Sequence, residues 1–165
     1  MSISDIHDLV AHVDIVDFVV HEERARRVEW PGGEEPAEPR STIRLAIRRE
    51  VNRIGYRFRL TLADAAAEYV SDIEAIYEVE GEDEEPPSVD IDVIKEFAER
   101  VAFMTVYPYL RTSIFGAAGR IGRAAPVMGI VRQGQFQAGV EMEIDEVERE
   151  FHDTTSELGL DRAAD

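Results

Sequence analysis

Three runs of alternating apolar and polar residues follow one another with little chain between them. No other feature limits the fold as much. Ile43, Leu45 and Ile47 alternate with Arg44, Ala46 and Arg48. Tyr56, Phe58, Leu60 and Leu62 alternate with Arg57, Arg59 and Thr61. The next run sets Tyr69, Ser71, Ile73, Ala75, Tyr77 and Val79 on one face, and Glu68, Val70, Asp72, Glu74, Ile76 and Glu78 on the other. A period of two is that of a strand with a packed face and a wet face. The links run from Asn52 to Gly55 and from Asp64 to Ala67. They are too short for a parallel crossover, so the neighbours are antiparallel. An earlier run over 12–22 has Val13 and Ile15 on one side and Val16, Phe18 and Val20 on the other. Its phase changes near Asp17, which predicts a bulge or bend. Residues 30–40 hold three Pro and two Gly and read as a loop.

The pattern then changes period. Ile94, Phe97, Val101 and Met104 recur at helical spacing, and Leu110, Ile114, Ala117 and Ala118 continue the face. Pro108 offers no N–H to the Met104 carbonyl, so the helix is expected to kink or restart there. The acidic loop Glu82–Pro87 precedes the helix, with Ser88 or Asp90 as its cap. Gly116, Gly119 and Gly122 predict fraying at its end. Ile144, Val147 and Phe151 mark a second, acidic amphipathic helix, and the chain beyond Leu160 reads as disordered. Strands first and helices after predict an α+β fold. The expected form is a four-stranded antiparallel sheet with a long kinked helix and a C-terminal helix on one face. A single domain over 1–160 and a short tail over 161–165 account for the whole length.

Charge and composition narrow the function. With 35 acids against 18 bases the formal charge is -17, which argues against nucleic acid as a partner. The acids cluster over 78–85 and over 141–153. These runs are solvated faces or a steering surface for a basic partner. There is no cysteine, so thiol chemistry is excluded. No apolar run reaches the ~20 residues that span a bilayer, and the N-terminus lacks a signal-peptide pattern. A cytoplasmic protein is expected. His7, His12, His21 and His152 show no metal-ligand spacing. Gly116 to Gly122 resembles a phosphate loop only loosely, and it follows a helix where such a loop must follow a strand. No nucleophile elbow is present. The expectation is a protein without catalysis, metal or cofactor.

The segment Tyr107-Pro108-Tyr109-Leu110-Arg111, with its lead-in from Phe97 to Phe103, resembles the SecB family of export chaperones. The first long helix of that family carries a Phe/Tyr-Pro-Tyr-Ala/Leu-Arg segment. The resemblance is good over 94–115, is one of pattern over 12–80, and is broken after 126. There the family's second proline and Asn-Phe are missing. The order of elements agrees with the SecB-like order.

The resemblance implies an ATP-independent chaperone that holds unfolded polypeptides for protein export. Some relatives instead guard an unstable antitoxin. A chaperone dedicated to an antitoxin or another single partner is therefore an alternative, and so is a small-ligand or enzymatic α+β module. Client binding is expected at Phe103, Tyr107, Tyr109 and Phe115 around the helix break, and at Val127, Met128 and Ile130 in the apolar run after it. By the resemblance, Tyr69, Ser71, Ile73 and Ala75 stand at the dimer–dimer interface of a homodimer or homotetramer. The alternative is that they pack under the protomer's own helix. Asp14, Asp17, Val70 and Asp72 stand on the exposed acidic face where the family meets a SecA-type motor.

Overall fold

The computed structural model describes residues 2–29, 40–81, 87–128 and 136. In chain order the elements are β1 (Ser2–Ile3), α1 (Ile6–Ala11), β2 (Val13–Arg27), β3 (Arg40–Arg49), β4 (Arg53–Ala63), β5 (Ala67–Val79), β6 (Ser88–Val89), α2 (Ile91–Phe97), a π-helical turn (Ala98–Ala102) and α3 (Phe103–Arg120). The expected C-terminal helix, the tail and Ile130 lie outside the described residues.

Strands β2 to β5 form one antiparallel sheet in the order β2-β5-β4-β3. The three alternating runs are three of its strands, joined by the expected short links. The first strand is longer than its apolar pattern. It runs to Arg27, with register shifts between Ile15 and Asp17 and between Val20 and Glu22. The first shift is the bulge expected near Asp17. The second places His21 as an extra residue. The stretch from Glu22 to Arg27 escapes an apolar-alternation test because both its faces are charged or small.

Residues opposite one another across a ladder share a face. Tyr56, Phe58, Leu60 and Leu62 thus lie with Ala75, Ile73, Ser71 and Tyr69, and Ile54 with Tyr77. Above them sit α2 and α3. The Phe97 ring lies 5.4 Å from Tyr56 and 5.0 Å from Tyr77, and Phe103 lies 5.4 Å from Phe58. The Tyr56 hydroxyl donates to the Ile94 carbonyl, which satisfies a polar atom inside the core. Each such ring, fully buried, contributes about 1.5–3 kcal/mol. Tyr69, Ser71, Ile73 and Ala75 are therefore covered by the protomer's own helices, and their expected place at a subunit interface is corrected.

The opposite face has a different roof. Asp72 has no exposed surface. Its carboxylate accepts from Arg57 Nε and Nη2 at 2.8 Å and from Arg59 Nη1 at 2.9 Å. Arg59 also reaches Glu22 at 2.6 Å. Glu74 accepts from Arg48 Nε at 3.2 Å and pairs with His21 Nε2 at 2.7 Å. Its carboxylate lies over Gly55, where a Cβ would collide with Oε1. The long arginine stems from β3 and β4 fold over β5 and seal it. Val70 and Asp72 are consequently buried, and the exposed position expected for them is corrected.

The helix also differs from its expected form. Asp90 caps α2, accepting from the Asp92 N–H. The irregular turn comes at Ala98–Ala102, where the Phe103 N–H reaches back five residues to Ala98. The helix then continues through Pro108 without restarting. It also passes Gly116 and Gly119, where fraying is expected, and ends at Arg120. Gly122 takes φ 67°, its N–H bonds Gly119 O at 3.0 Å, and the Arg123 N–H bonds Ala118 O at 2.9 Å. This is a Schellman closure, which needs a left-handed residue at that point. At the other end β1 pairs with β6 in parallel and α1 packs on α2, burying Ile3 and Leu9.

The two-arginine clamp gives the first test. Asp72→Ala leaves two guanidinium groups without their buried counter-charge and is expected to cost about 3–5 kcal/mol in urea unfolding. A cost below ~1 kcal/mol would show that the clamp is not structural.

Candidate functional site

Helix α3 divides its residues between two faces. Phe103, Val106, Tyr107, Leu110, Ile114, Ala117 and Ala118 are buried. Their spacing of three and four residues forms the stripe on the sheet. Pro108, Arg111, Thr112 and Phe115 fall on the outer side. The Schellman turn sends the chain back, so that Ala125, Pro126, Val127 and Met128 line the other wall of an open cleft of about 510 Å³. The turn is anchored. Arg27 donates from Nε at 3.1 Å and from Nη2 at 2.8 Å to the Ile121 carbonyl, and Arg123 lies 3.7 Å from Asp64. Glu23 accepts from the Ser113 hydroxyl at 2.6 Å and pairs with Arg120. These contacts tie α3 to the edge strand β2.

Phe115 is 70% exposed and Val127 98%. Both are large apolar groups held at a cleft with little to cover them. Met128 is half-buried in the same wall. Three of the seven expected client-binding residues thus come together here. Phe103 and Tyr107 do not, because their helical phase turns them into the core. Burial pushes the Tyr107 phenol upward in pKa, and the nearby Arg111 guanidinium acts in the opposite sense. That guanidinium lies over the Tyr107 ring, 5.9 Å from its centroid. Tyr109 is half-exposed on another side of the helix, with its ring 4.5 Å from Phe18. There it joins Ile15 and Val20, also exposed, in an apolar patch along the edge of β2.

Several contributors escape the sequence reading. Pro108, Arg111, Thr112 and Ala125 complete the cleft. Phe136 stacks on Phe103 at 4.3 Å and meets Phe58 edge-on at 5.6 Å. It lies in a polar Gln-Gly-Gln-Phe-Gln stretch, so no periodicity marks it.

The outer sheet face keeps Asp14 and Asp17 in solvent, and the Asp17 carboxylate accepts its neighbour's Phe18 N–H at 2.8 Å. A smaller cavity of about 200 Å³ on that face is lined by Val19, Ala46, Ile47, His21, Arg48, Arg57 and Glu74. Among the described residues no group of three or more His, Asp or Glu is placed to hold a metal ion.

The described lining of the cleft therefore offers apolar surface and one guanidinium. Truncation separates its surface residues from the core. Phe115→Ser is expected to change unfolding free energy by less than about 0.5 kcal/mol, whereas Phe103→Ala costs about 3–5 kcal/mol. Equal costs in urea unfolding would mean that Phe115 is a packing residue.

Comparison with known proteins extends this picture. No family profile matches the chain. The SecB-like chaperone SmegB of Mycolicibacterium smegmatis is 24% identical over 130 residues, covering 79% of this chain and 83% of the relative. Among solved structures, the chain is similar to the Mycobacterium tuberculosis Rv1957 SecB-like chaperone in complex with a ChAD peptide from the Rv1956 HigA1 antitoxin. The TM-score is 0.63 at 16% identity, over 78% of this chain and 97% of that one. The four-stranded antiparallel sheet with a long helix on one face is the fold that this chain shares with that structure.

Proposed function

We propose that this chain, a divergent SecB-like protein, is a molecular chaperone that holds non-native polypeptides by apolar contact, without nucleotide, metal or catalysis. The observation that carries the proposal is the open cleft between α3 and 125–128, with Phe115, Val127 and Met128 on its walls. Exposed apolar area in a depression gains about 25 cal/mol per Å² when a client covers it. A surface with few polar contacts dictates little about client sequence. Val127 and Met128 take the client role on one wall and Phe115 on the other.

The destination of the client has two readings. One is protein export. The other is a single dedicated partner, and it is favoured by the solved relative, which carries an antitoxin peptide. A SecA-type motor belongs to the export reading. Its expected landing site is reduced to Asp14 and Asp17, because Asp72 is locked beneath arginines. The setting proposed is the cytoplasm. No helix of the described residues is long and apolar enough to cross a bilayer.

The test is the aggregation of a denatured client followed by light scattering. Holding should need no ATP. It should persist in about 0.5 M salt, because screening does not weaken apolar burial. Phe115→Ser together with Val127→Ser should reduce it severalfold. A requirement for ATP, or loss of holding in salt, would contradict the proposal.

We further propose a homodimer or homotetramer, assembled through the β2 edge. Ile15, Phe18, Val20 and Tyr109 form an apolar patch there that lies open in one protomer. Val20→Asp should lower the assembly mass at micromolar concentration, since it puts a charge into the buried contact. A wild-type monomer by light scattering would refute this.

A further inference from the structure

We infer that the cleft selects apolar segments that carry a carboxylate, and that Arg111 reads it. The inference rests on the chaperone reading and names the client chemistry of the same site.

The first observation is the charge map. A chain with formal charge -17 has no acidic residue anywhere between Glu99 and Glu141. The helix α3 and both walls of the cleft fall inside that window. The second observation is how the described arginines of the window are used. Arg100 pairs with Glu96 at 2.8 Å, Arg120 with Glu23, and Arg123 lies 3.7 Å from Asp64. Arg111 stands apart from these pairs. Among the described residues that line the cleft it is the one that carries a charge, and its guanidinium lies over the Tyr107 ring.

Chemistry supplies the ligand. A planar guanidinium binds a carboxylate through two parallel hydrogen bonds. Pro108, Phe115, Val127 and Met128 surround this one with apolar walls, which strengthens the attraction over that of a fully wet pair. The acids elsewhere on the chain repel an acidic client weakly, because fields fade beyond roughly 8–10 Å at physiological salt. A basic residue at the same client position would meet Arg111 directly and be rejected. The occupant is thus an extended apolar segment with an Asp or Glu beside its apolar side chains.

The experiment uses the full chain and three labelled peptides with one apolar sequence. They differ at a central position that holds Glu, Gln or Lys. Binding is read by fluorescence anisotropy at about 0.15 M salt, where the repulsion from distant acids is screened. The Glu peptide should bind about three- to fivefold tighter than the Gln peptide, the range of a partly exposed ion pair. The Lys peptide should bind more weakly than the Gln peptide. Arg111→Gln should remove the ranking, Arg111→Glu should reverse it, and Arg111→Lys should keep part of it. In about 0.5 M salt the ranking should collapse while the Gln peptide still binds. Equal binding of the Glu and Gln peptides to the wild type would overturn the inference and leave the chaperone reading standing. A preference for Glu that survives Arg111→Gln would overturn it as well. If none of the three binds, both readings fail.

Discussion

The architecture depends on β5 being buried on both faces, with one helical layer among the described residues. One face is covered by aromatic rings from α2 and α3. On the other no helix of the described residues packs, and arginines reach over it from β3 and β4. Asp72 and Glu74 give those arginines something to grip. A buried carboxylate is costly unless its charge is matched and its lone pairs are filled. Asp72, with three guanidinium hydrogen bonds, meets both conditions. Gly55 leaves the space in which the Glu74 carboxylate lies across β4, and a larger residue there would displace that carboxylate.

Closing both faces of the sheet decides where apolar surface is left. The exposed apolar residues that fall together lie at the β2 edge and on the outer side of α3. The same helix supplies both. Its buried stripe holds the core, Tyr109 turns toward β2, and Phe115 turns toward the cleft. The Schellman turn at Gly122 then brings Ala125 to Met128 back as the second wall. Function in this account comes from what the core leaves uncovered, and no reactive group is needed.

Much of this was legible in the sequence. Period-two runs and short links identify three strands and their antiparallel pairing, and the period change identifies the helix. What was not legible depends on partners far apart in the chain. The sequence offers no sign that β2 pairs with β5, or that its charged half from Glu22 to Arg27 continues the strand. The burial of Asp72 follows from Arg57 and Arg59 across the sheet, while an alternating pattern alone assigns it to solvent. Pro108 points to a kink where the helix in fact runs on, and the irregular turn lies upstream at Ala98–Ala102. Within the cleft, Phe115, Val127 and Met128 were recognisable as apolar residues near the break. Phe103 and Tyr107 share that composition and differ only in helical phase, which counting aromatics does not resolve. Arg111 stood in the quoted motif without a role, because its place in the cleft depends on the chain turning back.

The most direct measurement is hydroxyl-radical footprinting of the protein with and without a bound denatured client. Phe115 and Met128 are oxidisable side chains on opposite walls of the cleft. The account predicts that both are protected severalfold when client is bound, while Tyr56 in the core and His21 on the outer sheet face keep their unbound reactivity. Protection at His21 with none at Phe115 or Met128 would place the client on the charged sheet face and contradict the account.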